Sequence, residues 1–155
     1  MNSSEIEKGI TQIYNNDKYL ARIISLTEKF NVGPAKDHYH SLLRSIISQQ
    51  LSVYAAASIH KKFVAYFNEK PSPEKILSAS DDELHKLGLS KAKVKYVKDL
   101  SQKVIKKDIH FRNLEKKTDE QIINELTVIK GVGVWTVHMF LIFTLGRLNI
   151  LPVGD

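Results

Sequence analysis

Apolar residues recur at helical spacing along most of the chain, and no stretch of useful length alternates apolar and polar residues as a strand would. The clearest buried face is predicted on a helix starting near Asp37 or His38, and it comprises Tyr39, Leu42, Leu43, Ile46 and Ile47. A second face lies on a basic helix and comprises Val94, Val97, Leu100 and Val104. The lysines of that helix are expected to face solvent: Lys91, Lys93, Lys95 and Lys98. The predicted fold class is therefore all-α.

Polar residues that favour helix N-termini precede many of these segments, and they predict where the helices begin. The single-residue caps are Asp17, Ser52 and Ser90. Ser80 with Glu83, and Thr118 with Gln121, have the spacing of capping boxes. Since no glycine-rich linker or repeat divides the chain, residues 1–155 are predicted to form one compact unit of short helices.

The segment from Leu126 to Thr136 has the form of a helix end, a tight turn and a new helix start. Gly131 and Gly133 flank Val132, so the backbone can turn sharply there and approach another molecule closely. The amides at the start of the following helix have no partners and form a seat for a phosphate. This pattern indicates a helix-hairpin-helix, a motif that grips the DNA backbone without reading sequence.

Charge and composition narrow the class of partner. The net charge of +6 and pI of about 9.4 favour a polyanion, although charge alone fits equally well a basic protein that is merely kept soluble. The absence of cysteine excludes disulfides and thiolate metal sites. The N-terminus is polar, and the longest apolar run is too short to span a bilayer. A monomeric protein of the cytoplasm, associated with the nucleoid, is expected.

Four stretches in this order resemble the helix-hairpin-helix DNA glycosylase superfamily, and in particular its 3-methyladenine DNA glycosylase II (alkylbase DNA glycosidase) branch. They are Tyr39–Ser52, Leu87–Ser90 with Lys93 and Tyr96, Ile129–Thr136, and Leu151–Asp155. The resemblance covers roughly residues 37–155. It implies a compact multi-helix glycosylase domain over residues 1–155, with two helical lobes flanking a cleft. The N-terminal bundle would occupy about 1–110 and the helix-hairpin-helix about 118–146.

The activity that this resemblance implies is base excision repair by a monofunctional glycosylase. Such an enzyme hydrolyses the N-glycosidic bond of alkylated purines, of the 3-methyladenine and 7-methylguanine type, in duplex DNA after base flipping. Asp155 would be the catalytic carboxylate that stabilises positive charge on the sugar and orients water. From composition alone, a solvent-facing loop aspartate or simply a chain end would be favoured for Asp155, and the motifs in this order reverse that preference. Bifunctional members carry a lysine where this chain has Trp135, so no lyase activity is expected.

Trp135 and Met139 are the residues that the resemblance places at the flipped base. An indole face attracts the positive charge of an alkylated purine, although a tryptophan one turn into a helix could also be a core residue. Met139 departs from the aromatic residue found there in some relatives, which leaves the substrate range open. His138 lies beside apolar neighbours, where a packing role is more common than catalysis, and it is given no function.

The DNA-binding residues implied are Gln50, Leu51, Gly131, Gly133 and Thr136. Gln50 would fill the gap left by the flipped base, with Leu51 as the second candidate for this role. The alternative for Gln49 and Gln50 is that they cap a helix end and bind backbone. The amides of Gly131, Gly133 and Thr136 would contact phosphate.

A structural Na⁺ or K⁺ at the hairpin is also implied, and its ligands would be the backbone carbonyls of Thr127, Ile129 and Val132. The reaction itself requires no cofactor.

Two other functions remain open at this point. One is a non-catalytic helix-hairpin-helix module that binds DNA. The other is a helical protein-interaction domain, which would leave the basic charge and the paired glycines unexplained. Family members continue with further helices beyond the position of Asp155, so a truncated chain with a partly open active site and poor activity is expected.

Overall fold

The computed structural model describes residues 3–27 and 35–153, and within these ranges the protein is helical without any strand. The predicted fold class is thus confirmed. The α-helices are α1 (Ser3–Asn16), α2 (Lys18–Leu26), α3 (His38–Ser48), α4 (Val53–Tyr66), α5 (Pro73–Ser78), α6 (Asp81–Lys86), α7 (Lys91–Ile105), α8 (Asp119–Leu126) and α9 (Val134–Phe143). A short 3-10 helix spans Leu114–Lys116. None of these helices is long and apolar enough to cross a membrane.

The core is built around α3 and α7, which pack against each other. Helix α3 also contacts α4 and α9, whereas α5 and α6 pack on α7 and α8 packs on α9. All five apolar residues predicted for the face of α3 are buried. Val94, Val97 and Leu100 of α7 are buried against the same core. Since burying one such side chain contributes roughly 1.5–3 kcal/mol, these two faces hold the loops at their ends in place.

The helix starts follow the local signals that predicted them. The Asp17 carboxylate accepts the amides of Tyr19 and Leu20, and the Ser90 hydroxyl accepts the amide of Lys93. Both predicted capping boxes are present, at the starts of α6 and α8. A cap of this kind is worth about 1 kcal/mol, which is enough to fix where a short helix begins.

The N-terminal pair of helices, α1 and α2, differs from the rest, because none of its described side chains is buried and most of its large apolar residues are exposed. Helix α2 contains no buried residue, and Ile23 and Leu26 are 55% and 78% exposed. Within the described residues, the buried core is formed by the segment from α3 to α9.

Candidate DNA interface and active site

The hairpin loop, residues 127–133, joins α8 to α9, and its turn depends on one glycine rather than on two. Gly131 has a φ of +78°, which disfavours side chains other than glycine. A methyl group added there would lie 2.1 Å from Cδ2 of the Tyr96 ring, so the ring and the hairpin backbone are in close contact. Gly133 has an ordinary φ of −92°, and no atom lies within 4 Å of the position of a Cβ. Gly131 therefore makes the turn, and Gly133 leaves the hairpin surface open.

The start of α9 presents unpaired amides at this open surface. Gly133 is the N-cap and has no side chain to accept them. The first helical bond runs from the Val137 amide to the Gly133 carbonyl, at 3.1 Å. The amides of Val134, Trp135 and Thr136 precede that bond and lack intrahelical partners, and the helix dipole adds partial positive charge. This arrangement can bind a phosphate.

A second loop, Gln49–Ser52, connects α3 to α4, and we call it the wedge loop. Gln50 is exposed and has a φ of +53°, in the left-handed region that costs an ordinary residue roughly 1–2 kcal/mol. Leu51 is 37% exposed. Ser52 caps α4 by accepting the Ala55 amide at 3.3 Å. The loop thus presents Gln50 and Leu51 at the surface from a strained but well-anchored turn.

Gln49 joins the wedge loop to the hairpin. Its Nε2 donates to the Gly131 carbonyl at 2.9 Å and to the Thr136 hydroxyl at 3.3 Å. Of the alternative given for Gln49, the backbone contact is confirmed, but the carbonyl that Gln49 binds lies in the hairpin loop, 82 positions away along the chain, and not at a helix end. The Thr136 hydroxyl oxygen accepts in this contact, so its O–H and the Thr136 amide both remain as donors. The two predicted DNA-binding segments are therefore adjacent.

Helix α7 supplies contacts to both loops that sequence reasoning missed. Lys93, expected to face solvent, donates instead to the carbonyls of Ile47 and Gln49, each at 2.7 Å. The Asp99 carboxylate accepts the Lys130 amide at 2.9 Å. One signal was available: Lys93 lies four residues before Val97, at the spacing of the buried face.

Trp135 and Met139 are four residues apart on α9, so they share one side of the helix. Trp135 is 39% exposed and is therefore not a core residue, whereas Met139 is half-buried. His138 lies between them in the sequence, and its Nδ1 is buried without a hydrogen-bond partner in the described part of the chain. Trp135 combines an exposed ring with a position directly at the unpaired amides. A base bound at this ring would lie near a phosphate bound at the amides.

The remaining predicted sites are the catalytic carboxylate and the cation-binding carbonyls. Asp155 lies outside the described residues. Of the three carbonyls predicted to hold a monovalent cation, that of Ile129 accepts the Val132 amide at 3.1 Å and retains a second lone pair. Neutral carbonyl oxygens are ligands that suit a hard cation, so this chemistry fits Na⁺ or K⁺ at Thr127, Ile129 and Val132.

Residues 43–155 match the family model of the HhH-GPD superfamily base excision DNA repair proteins, over more than half of the chain. The chain belongs to this superfamily. Its helix-hairpin-helix is the part formed by α8, the hairpin loop and α9. The wedge loop also lies within the matched residues.

Individual members of the superfamily are similar along nearly the whole chain. The alkylbase DNA glycosidase-like protein mag2 of Schizosaccharomyces pombe is 30% identical, and the match covers 98% of this chain and 74% of that protein. The S. pombe 3-methyladenine DNA glycosylase solved in complex with abasic DNA is also 30% identical. The two structures superpose with a TM-score of 0.86, and the match covers 96% of this chain and 75% of the other. A DNA-3-methyladenine glycosidase from Bacillus halodurans is 34% identical with a TM-score of 0.76, covering 92% and 66%.

Proposed function

We propose that the protein is a monofunctional DNA glycosylase of base excision repair that removes alkylated purines, such as 3-methyladenine and 7-methylguanine, from duplex DNA. The observation that carries the proposal is the Gln49 contact, because it joins the loop of the exposed Gln50 to the hairpin loop, which leads directly into the helix that carries Trp135. A module that only bound the DNA backbone would need the hairpin. It would need neither an exposed side chain that fills the space left by a flipped base nor an aromatic ring beside that side chain. Similarity to glycosylases named for alkylated bases gives the substrate class.

The chemistry follows from the charge of the substrate. A purine alkylated at N3 or N7 is cationic, so it leaves as a neutral base with both electrons of the bond to C1′. Positive charge then builds on the sugar, where the Asp155 carboxylate would stabilise it. Water adds to C1′, and its proton passes to the carboxylate. This role of Asp155 rests on the resemblance, and the family match extends to that residue.

The flipped base would be held by Trp135 and Met139. A cation over an indole face gains roughly 0.5–2 kcal/mol, which favours a charged purine over a neutral one. Tryptophan cannot form the Schiff base through which bifunctional members cut the strand, so hydrolysis by water is the only step assigned. Gln50 would fill the space left in the duplex, with Leu51 beside it.

The DNA backbone would be held by the amides of Gly131, Gly133 and Thr136. A Na⁺ or K⁺ on the nearby carbonyls would add positive charge at the phosphate and take no part in the chemistry. The remaining expectations are a duplex DNA partner containing damaged bases, a monomeric state, no required cofactor and a location at the nucleoid.

Base release is the test of this proposal. Duplex oligonucleotides carrying 7-methylguanine, hypoxanthine or ethenoadenine are incubated with the protein, and free base and abasic sites are measured. Release of 7-methylguanine is expected from the wild type, with loss of at least about a hundredfold in Asp155→Asn. DNA binding without release of any base would support a non-catalytic binding module. Unchanged release in Asp155→Asn would remove Asp155 from the mechanism, and a borohydride-trapped covalent adduct would overturn the monofunctional assignment.

A further inference from the structure

The Lys93 side chain is turned into the protein rather than toward solvent. Its ammonium donates to two carbonyls at the end of α3, those of Ile47 and Gln49, at 2.7 Å each. Two of its three N–H groups are thereby used within the protein. Burial lowers the pKa of Lys93, which is the cost of taking an ammonium partly out of water. The two carbonyls offset part of that cost.

These carbonyls lie where the wedge loop leaves α3. The last carbonyls of a helix have no intrahelical partner and carry partial negative charge, so a cation stabilises them. Directly after the second of them, the chain enters the left-handed conformation of Gln50, with φ +53°. Since that conformation is unfavourable for glutamine, the surrounding contacts must hold it. Gln49 is therefore held twice, by the Lys93 ammonium at its backbone carbonyl and by the hairpin at its side-chain amide.

The same helix also holds the hairpin. Tyr96 packs its ring against Gly131, and Asp99 accepts the Lys130 amide at 2.9 Å. Lys93, Tyr96 and Asp99 follow one another at three-residue spacing on α7, a single unbroken helix. One helix therefore sets the position of the wedge loop relative to the hairpin.

We propose that Lys93 is a positioning residue for base extrusion, which holds the wedge loop so that Gln50 faces the duplex at a fixed distance from the phosphate held by the hairpin. The proposal rests on the proposed function for its substrate, duplex DNA. Lys93 is assigned no contact with the base, the sugar or a phosphate. Its effect reaches the reaction only through the backbone of Gln49 and Gln50.

The first experiment needs no activity. Amide resonances of residues 1–155 are assigned by NMR in the wild type and in Lys93→Met, which keeps the length of the side chain and removes the ammonium. The matched control is Lys95→Met, because Lys95 is exposed on the opposite side of α7. Hydrogen exchange of the Gln49 side-chain amide, which donates to the Gly131 carbonyl, is expected to quicken by about tenfold in Lys93→Met only, as expected for a lost charge-assisted bond nearby. The backbone resonances of Gln50 are expected to shift in the same variant only. Lys93→Arg, which keeps a cationic donor, is expected to stay within a few fold of the wild type.

The second experiment separates flipping from chemistry. Single-turnover release of 7-methylguanine is compared on duplex and single-stranded oligonucleotides. In a single strand the base is unpaired, so it need not be extruded from a duplex before it reacts. Lys93→Met is expected to slow release about tenfold on the duplex and to leave the single-stranded rate within about twofold. Lys95→Met is expected to change neither rate. Equal losses on both substrates would overturn the proposal.

Binding measured against salt distinguishes a direct phosphate contact. Removing a lysine that contacts phosphate lowers the slope of log K against log salt by about 0.9, and such a change in Lys93→Met would overturn the proposal. Unchanged exchange of the Gln49 side-chain amide together with unshifted Gln50 resonances would also overturn it. If the wild type releases no base from any substrate, the proposed function fails, and the NMR comparison then decides on its own whether Lys93 holds the loop.

Discussion

The wedge loop and the hairpin loop both face the proposed DNA, but they are held by different means. The hairpin takes its shape from nearby sequence, through the left-handed Gly131 and the helices that end and begin around it. The wedge loop is shaped by distant residues. Lys93 and the hairpin reach it across 44 and 82 positions of chain. Helix α7 contacts both loops, and in the hairpin it adds Tyr96 and Asp99 to a turn that Gly131 already makes. The wedge loop has no glycine at its left-handed residue, Gln50, so its shape depends on contacts from α7 and from the hairpin.

The largest effect is expected where the hairpin meets α7. Gly131→Ala places a non-glycine residue in the left-handed region, which costs roughly 1–2 kcal/mol of stability. Its methyl group also overlaps the Tyr96 ring, and such overpacking costs about 1–3 kcal/mol. The free energy of unfolding, measured in urea, should fall by about 3 kcal/mol in total. Gly133→Ala is the matched control, with an ordinary φ and open space, and should cost about 1 kcal/mol or less. Equal losses in the two variants would mean that the Tyr96 contact does not hold the hairpin.

This contrast between the loops also explains what could be predicted from the sequence. The helix faces, the caps and the hairpin were predictable, because each depends on residues a few positions apart, as in Ser80 with Glu83. For Lys93 the spacing from Val97 was the only local signal. The carbonyls that it binds belong to α3 and the wedge loop, far along the chain, and its neighbours on α7 include other lysines. The exposure of Ile23 and Leu26 on α2 could not be predicted from the sequence either. A periodic pattern shows that a helix face is apolar, but it does not show whether another element covers that face.

The wedge loop should respond to a glycine in the opposite sense to the hairpin. Gln50→Gly relieves the left-handed backbone and should raise the free energy of unfolding by about 0.5–1 kcal/mol. The same change removes the proposed plug, so release of 7-methylguanine from duplex DNA should fall about tenfold while release from a single strand is kept. Gln50→Asn, which keeps an amide and tolerates this backbone, is the control for polarity. If Gln50→Gly released 7-methylguanine from duplex DNA as fast as the wild type, Leu51 rather than Gln50 would be the residue that fills the space left by the base.

The start of α9 offers a test in which folding and binding change in opposite directions. Gly133→Ser adds a hydroxyl that can accept the Thr136 amide, as serine does at many helix starts, and should stabilise the protein by a few tenths of a kcal/mol. The hydroxyl then competes with a phosphate for the same amide, so affinity for undamaged duplex DNA should fall by about threefold to tenfold. Fluorescence anisotropy at constant salt measures the affinity, and Gly133→Ala controls for added bulk. Tighter binding by the serine variant would exclude this amide from the phosphate site.

The smallest effect is expected at the weaker of the two bonds that join the loops. Thr136→Val removes the hydroxyl that Gln49 Nε2 reaches at 3.3 Å, but the 2.9 Å bond to the Gly131 carbonyl remains. Because valine fills nearly the same volume at this buried position, the free energy of unfolding should change by less than about 1 kcal/mol. Duplex base release should fall by no more than about twofold, and Gln49→Ala, which removes both bonds, should cost more. If Thr136→Val alone matched Gln49→Ala in duplex release, the hydroxyl rather than the Gly131 carbonyl would be the contact that joins the wedge loop to the hairpin.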